Sequence, residues 1–251
     1  MRLDTFLVES NKFKSRNKAS ESIQRGEIKV NSKVVTKPAF NVIESDLIEI
    51  IYKEEPFVSI GGNKLKRAIE KLNPSICNKV FIDVGASTGG FTDCLLRNGA
   101  KKVYCVDVGN NLLDAKIAND SRVIVMDNTN ARYLKPADFQ ELVDAIVIDC
   151  SFISLEYILP PLIDLLNEDG YILALIKPQF ELQERINLKN GILRNDKERE
   201  KILKRLYDFC IQLNLIPKGL TCVTVDTKKN LEYIFLISKK GLISSFEDIL
   251  I

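Results

Sequence analysis

Three features of the 251-residue sequence predict an α/β fold, a mostly parallel seven-stranded sheet behind a small α+β module. From Val80 onward, apolar runs of strand length alternate with helical runs, the rhythm of a parallel sheet covered by helices on both faces. One run, Phe81-Ile82-Asp83-Val84, passes straight into Gly85-Ala86-Ser87-Thr88-Gly89-Gly90-Phe91-Thr92 and then a helix. A parallel strand delivers its C-terminal end to a nucleotide-like ligand in this way. The head of the chain differs: residues 1–40 hold nine Lys/Arg against four Asp/Glu, whereas residues 41–60 hold one against five. A basic head beside an acidic connector marks a polyanion-binding module, residues 1–55, ahead of a larger domain, residues 56–251.

The elements follow in order. Arg2 to Ser10 reads as a short helix with Leu3, Phe6 and Leu7 on one face. A second helix, Lys18 to Arg25, opens at Arg16 or Asn17 and is stopped by Gly26. Ile28 and Val30 then alternate into Asn31-Ser32 and Val34-Val35, a hairpin, with Asp46 to Ile51 as its closing strand. Ser32 occupies a turn position where positive φ favours Gly. Connector Tyr52 to Pro56 leads into Ser59-Ile60-Gly61-Gly62-Asn63 and a helix over Lys64 to Leu72. The larger domain then reads as strands Val80–Val84, Lys102–Val108, Val123–Met126, Ala145–Ile148, Tyr171–Ile176, Thr221–Val225 and Tyr233–Ile237. Between them fall helices Thr92–Asn98, Leu112–Asn119, Leu155–Leu166 and Asp196–Leu213.

Composition excludes several chemistries. No histidine is present, which removes Ser-His and Cys-His nucleophiles and most zinc sites, and no metal is expected. Six cysteines occur without a C-x-x-C pair and read as small buried hydrophobes of a reducing compartment. Met1 to Ser10 lacks the apolar core of a signal peptide. The most apolar stretch, Ala145 to Leu166, is broken by Asp149, Glu156, Pro160, Pro161 and Asp164, so no membrane span and a cytoplasmic location are expected.

The glycine-rich turn fits neither G-x-G-x-x-G nor the Lys-bearing phosphate loop. With no pyrophosphate to cradle, its shape suits a mononucleoside such as S-adenosylmethionine. Alone, it is equally a plain strand-to-helix turn. The strand ends weigh against that: Asp83, Asp107, Asp127 and Asp149 close four successive strands at the edge where an open α/β sheet holds its ligand. Asp107, 24 residues after Asp83, stands where a carboxylate accepts from a ribose diol, and Asp127 could take an adenine amino group. The cofactor site is therefore expected at Asp83, Gly85 through Thr92, Asp107 with Val108, Asp127 with Asn128, and Asp149.

Lys177 ends the strand beside Asp149, Lys64 opens the helix before the first strand, and Glu232 enters the last strand. Moving a methyl group from a sulfonium to a ribose hydroxyl needs a proton acceptor. Without histidine, a lysine serves when a second ammonium and partial burial bring its pKa down from about 10.4.

At these residues the chain resembles known families. Arg2-Leu3-Asp4, Arg16-Asn17-Lys18-Ala19 and Ile23 through Asn31 look like the RNA-binding module of ribosomal protein S-four. Ser59 to Leu65, Asp83 to Cys94, Asp149-Cys150-Ser151-Phe152-Ile153-Ser154-Leu155 and Lys177-Pro178-Gln179-Phe180-Glu181 resemble the TlyA family. Its members are bacterial cytidine 2′-O-methyltransferases of ribosomal RNA, also called hemolysins. The resemblance implies a Rossmann-like, FtsJ-like catalytic domain that uses S-adenosylmethionine. It also implies a Lys-Asp-Lys-Glu tetrad at Lys64, Asp149, Lys177 and Glu232, the last resting mainly on the resemblance. Ile60 stands where the family has Arg, and its Gly-rich block is reduced around Lys228 to Glu232.

Seven cations, Arg2, Lys14, Arg16, Lys18, Arg25, Lys29 and Lys33, fall in the first 33 residues on a helix–helix–hairpin module and are expected to bind phosphates. Gln24 and Asn31 join them by resemblance. The implied partner is ribosomal RNA or a ribosomal subunit, the large subunit first and the small subunit second, with the enzyme a monomer. Two other readings compete: a membrane-lytic hemolysin, for which the only candidate segment is the acidic tail Leu242 to Ile251, and a non-catalytic assembly factor that keeps the fold.

Overall fold

The computed structural model describes every residue except 14, 44, 52–55, 184–187 and 225–228. Lys14 and most of the connector therefore lie outside the described residues. The chain divides into two compact units, Met1–Pro56 and Phe57–Ile251.

In the first unit, α1 (Leu3–Glu9) and α2 (Arg16–Gln24) cover a small antiparallel sheet of β1 (Ile28–Val30), β2 (Lys33–Val35) and β3 (Ile48–Ile50), with β1 central. Leu3, Leu7, Ala19, Ile23, Ile28 and Val42 form its core. The second helix begins earlier than its apolar residues suggest, because Ser15 caps it by accepting from Lys18 N. Val30 pairs with Lys33 across a two-residue turn in which Asn31 and Ser32 both have positive φ, 49° and 65°. Asn31 fastens that turn: its Nδ2 donates to Asp46 Oδ1 and its Oδ1 accepts from Leu47 N.

The second unit comprises α3 (Ile60–Leu72), β4 (Val80–Val84), α4 (Gly90–Arg97), β5 (Lys102–Val106), α5 (Ala115–Ala118), β6 (Val123–Met126), β7 (Val143–Ile148), α6 (Leu155–Leu162), β8 (Leu166–Ile176), α7 (Asp196–Gln212), β9 (Ile216–Cys222) and β10 (Tyr233–Ser238). The seven strands run β6-β5-β4-β7-β8-β10-β9, and β10 is antiparallel to both its neighbours. Every residue of β4 is buried, and alternate side chains serve opposite layers. Phe81 packs with Leu65, Ala68 and Leu95 of α3 and α4. Ile82 packs with Leu159, Ile202 and Leu206 of α6 and α7. Burying a side chain such as Phe81 contributes about 2–3 kcal/mol. Among the described residues, no helix is long and apolar enough to cross a membrane.

Two helix starts differ from the sequence expectation for one reason, close packing disguised as turn chemistry. Helix α3 starts at Ile60 rather than Lys64, and Gly61-Gly62 are helical. A Cβ at Gly62 would enter the Phe57 ring, and one at Gly90 would strike Ser59, so these glycines let chain segments touch. Helix α4 accordingly starts at Gly90, not Thr92. Strand β9 starts at Ile216, not Thr221, because Pro217 is tolerated on an edge strand. The expected helix Leu112–Asn119 shrinks to Ala115–Ala118, capped by Asp114. Strand Lys102–Val108 ends at Val106, and helix Leu155–Leu166 ends at Leu162, just after Pro160-Pro161. The tail is not a free amphipathic segment: Phe246 and Ile249 are buried in the core and Ile251 N bonds Leu220 O.

Candidate active site

The C-terminal ends of β4, β5 and β7 open onto a crevice of about 400 Å³. Gly85 begins its floor at φ 81°, and a Cβ there would lie 2.9 Å from the Asp149 carbonyl oxygen, so only glycine lets β4 turn against β7. This glycine therefore serves the approach of two protein segments. Asp107, just past β5, fixes the loop: Oδ2 accepts from Ser87 N and Oδ1 from Gly109 N, both at 2.8 Å. Val108, Leu112, Thr129, Asn130 and Ile153 complete an apolar wall with a polar edge, a shape suited to a nucleoside.

Two of the four strand-end carboxylates do not face this crevice. Asp83 is fully buried beneath the turn, where Oδ2 accepts from Thr92 N (3.0 Å) and Thr92 Oγ1 (2.6 Å). Among the described residues its Oδ1 has no partner, and burial pushes the carboxyl up to about 7 against the pull of Thr92. Asp83 and Thr92 thus anchor the start of α4. Asp127 accepts from Asn111 N, and Asp127 and Asn128 stand off the crevice wall. Gly89, also off the wall, is the left-handed residue at the N-terminus of α4.

A second cavity of 230 Å³ shares Gly85, Ser87, Asp149 and Ser151 with the first and is bounded by Ala86, Thr88, Gly90, Phe91, Lys64 and Lys177. Here the basic residues meet their carboxylates. Lys177 Nζ lies 2.6 Å from Asp149 Oδ1 and donates to Ser151 Oγ at 2.8 Å, with its side chain 10% exposed. Lys64 Nζ lies 2.6 Å from Glu232 Oε2. Glu232 is held by its own backbone: its N–H donates to Thr224 Oγ1 and its carbonyl accepts from Val223 N. A third cavity, 410 Å³, continues beyond Lys64 and Glu232. Cys150 borders the crevice, but burial pushes its thiol up to about 12, so it offers no thiolate near neutrality.

Sequence reasoning missed Ser151, Asn130, Thr129 and Leu112. Ser151 lies within the run Asp149 to Leu155, yet nothing in its type distinguishes it from a turn serine. Phe152 was missed as well. It is 87% exposed at φ 64° and tilted against Phe180 with ring centroids 4.7 Å apart.

In the N-terminal unit, buried Asp4 accepts from Arg2 Nε and Nη2 and from Arg16 Nε, which holds its carboxyl well below the usual range. Both guanidiniums stay about half exposed and are thereby aimed. Arg25 is bridged to Glu27. Lys18, Lys33 and Gln24 are exposed, and Lys29 is half-buried. Asn31 spends its carboxamide on the hairpin, as described above.

Comparison with known proteins agrees with this architecture. The FtsJ-like methyltransferase family matches residues 57–235 and the S4 domain matches residues 1–48. The chain is 39% identical to hemolysin A of Brachyspira hyodysenteriae, over 93% of this chain and 98% of that one. It is 34% identical to the 23S rRNA (cytidine-2′-O)-methyltransferase TlyA of Campylobacter jejuni, over 95% of this chain and 100% of that one. It is 39% identical to the 16S/23S rRNA (cytidine-2′-O)-methyltransferase TlyA of Mycobacterium tuberculosis, over 72% and 68%. A solved structure from Streptococcus thermophilus, described as a candidate hemolysin, superposes with TM-score 0.72 at 36% identity, over 98% of this chain and 90% of that one. A candidate S-adenosylmethionine-dependent methyltransferase from Listeria monocytogenes shares the fold alone, at TM-score 0.54 and 12% identity. A seven-stranded sheet with this crevice, an S4 head and near full-length relatives make the chain a member of the TlyA family of FtsJ-like methyltransferases.

Proposed function

We propose that the protein methylates the 2′-hydroxyl of a cytidine in ribosomal RNA, with S-adenosylmethionine as donor. The observation that carries this is the pairing of Lys177 with Asp149 and of Lys64 with Glu232, each at 2.6 Å, with Lys177, Asp149 and Lys64 lining one cavity that opens into the nucleoside-shaped crevice.

The crevice fits the cofactor. Asp107 lies where a ribose diol would sit, the wall beside it is apolar, and the Gly85–Phe91 turn borders the cavity that would take the amino-acid part. When bound there, S-adenosylmethionine supplies an electrophilic methyl group on a sulfonium. Lys177 receives the proton that the ribose hydroxyl loses. Asp149 and Ser151 fix its amine, and the Asp149 carboxylate offsets the charge that Lys177 gains. Lys64, fixed by Glu232, holds the acceptor ribose in line with the methyl group. Lys177 ends with the single positive charge that the donor began with and no oxyanion accumulates, so alignment supplies much of the rate.

Residues 1–55 act as the RNA-binding domain and residues 56–251 as the catalytic domain. Arg2, Arg16, Lys18, Arg25, Lys29 and Lys33 contact phosphates and position the enzyme without reading sequence. The reading calls for a large-subunit target, a cytoplasmic site of action and no metal. The test is to map 2′-O-methylation in ribosomal RNA from cells with and without the gene. Loss of one cytidine mark, restored by the purified protein with S-adenosylmethionine, is the expected result. An unchanged map with no cofactor binding by calorimetry would favour a non-catalytic assembly factor.

A further inference from the structure

The 410 Å³ cavity beyond Lys64 has no part in holding the cofactor, since it shares only Ile60 and Lys64 with the methyl-transfer cavity. The short turn Pro178–Phe180 separates the two. Lys177, just before the turn, lines the small cavity with Asp149, whereas Gln179, within it, lines the large one with Lys64 and Glu232. A nucleoside whose ribose lies at Lys64 would therefore present its 2′-oxygen on the Lys177 side and its base on the Gln179 side.

The polar groups of the large cavity are not equally free. Asn230 is spent on the fold, donating to Gly191 O and accepting from Leu193 N. Thr224 Oγ1 accepts from Glu232 N. Gln179 Oε1, by contrast, is buried with no donor among the described residues, an arrangement that costs free energy until a donor arrives.

We infer that Gln179 determines specificity for the acceptor base, and that its carboxamide engages the Watson–Crick edge of a cytosine. A carboxamide is neutral and carries an acceptor beside a donor. Cytosine presents the complement: its exocyclic amine donates to Oε1 and its N3 accepts from Nε2. A short swing of the side chain satisfies the orphaned oxygen. With the carboxamide in the orientation the structure shows, uracil sets an acceptor against Oε1, whereas a carboxamide turned over would pair with uracil, so it is the orientation of Gln179 that selects cytosine. A site built to hydrogen-bond one group rejects an analogue that leaves its polar atoms unpaired.

This assignment rests on the proposed methyltransferase activity, and the experiment separates the two. Single-turnover methylation is measured with full-length enzyme on matched RNA substrates bearing cytidine or uridine at the mapped position, for wild type, Gln179→Ala and Gln179→Leu. Calorimetry of S-adenosylmethionine binding accompanies each variant. The wild type should favour cytidine at least about tenfold, and both variants should bring the ratio close to one by slowing the cytidine reaction, with cofactor affinity unchanged. Equal wild-type rates on both RNAs, a ratio untouched by substitution, or loss of cofactor binding in both variants would overturn the assignment and leave the methyltransferase reading standing. A wild type that methylates neither RNA overturns that reading and this assignment with it.

Discussion

Lys64 Nζ lies 2.6 Å from Glu232 Oε2, joining the second turn of α3 to the entry of β10 at opposite ends of the catalytic unit. Both side chains are mostly buried, at 15% and 17% exposed, so removing one leaves the other as an uncompensated charge. Glu232→Gln keeps the shape and removes the charge that fixes Lys64. We expect turnover to fall by roughly 10–100-fold, mainly through misplacement of the acceptor, since misalignment of this kind costs about that much. Cofactor affinity should hold. A kcat unchanged from wild type would show that the pair merely closes the fold.

Lys177 makes the sharper prediction. Its amine touches Asp149 and Ser151 and borders the cavity shared with the nucleoside crevice. Lys177→Ala should retain S-adenosylmethionine binding within about threefold while single-turnover methylation drops by about 10²–10⁴-fold, the range for loss of a general base. Substantial methylation by the variant would remove Lys177 from the proton's path.

The sheet was legible because apolar strands and their spacing follow from burial on both faces, and β4 and β6 start and end where the alternation says. Helix starts were less so. Gly62 and Gly90 carry no local sign that their missing Cβ atoms accommodate Phe57 and Ser59, the second a contact between segments distant in sequence. The carboxylates show the same limit. Periodicity puts Asp83, Asp107, Asp127 and Asp149 at strand ends, but which way each side chain turns depends on tertiary partners. Thr92 draws Asp83 inward and Asn111 draws Asp127 aside. Glu232 gave no chemical signal alone, because its meaning comes from Lys64.

Asp83 couples stability to pH. Burial raises its folded-state pKa to about 7, whereas an unfolded aspartate sits near 3.9. Its contribution is therefore fully present below about pH 4 and is lost as pH rises through about 7. Asp83→Asn keeps an oxygen for Thr92 and removes the titration. Between pH 5 and 8 the wild type should lose on the order of 2–3 kcal/mol relative to the variant, or roughly 5–10 °C in Tm. Glu181, also raised by burial, is present in both proteins and cancels in the comparison. Parallel Tm curves would mean that Asp83 is ionised in the folded protein throughout this range.

RNA binding by the head should be electrostatic and separable from catalysis. Lys18 and Lys33 are exposed and belong to no ion pair among the described residues, whereas Arg2 and Arg16 also brace Asp4. Replacing the two lysines with alanine therefore leaves the unit's core intact. If each neutralises one phosphate, the slope of log affinity against log salt should become shallower by about 1.4–1.8, since each released counterion contributes about 0.7–0.9. Fluorescence anisotropy with a ribosomal RNA fragment at several salt concentrations reads this directly. Cofactor affinity should not move, because these residues lie in the unit Met1–Pro56 and the crevice is built from Phe57–Ile251. An unchanged slope would exclude both lysines from the phosphate contacts and shift the RNA surface to the arginines.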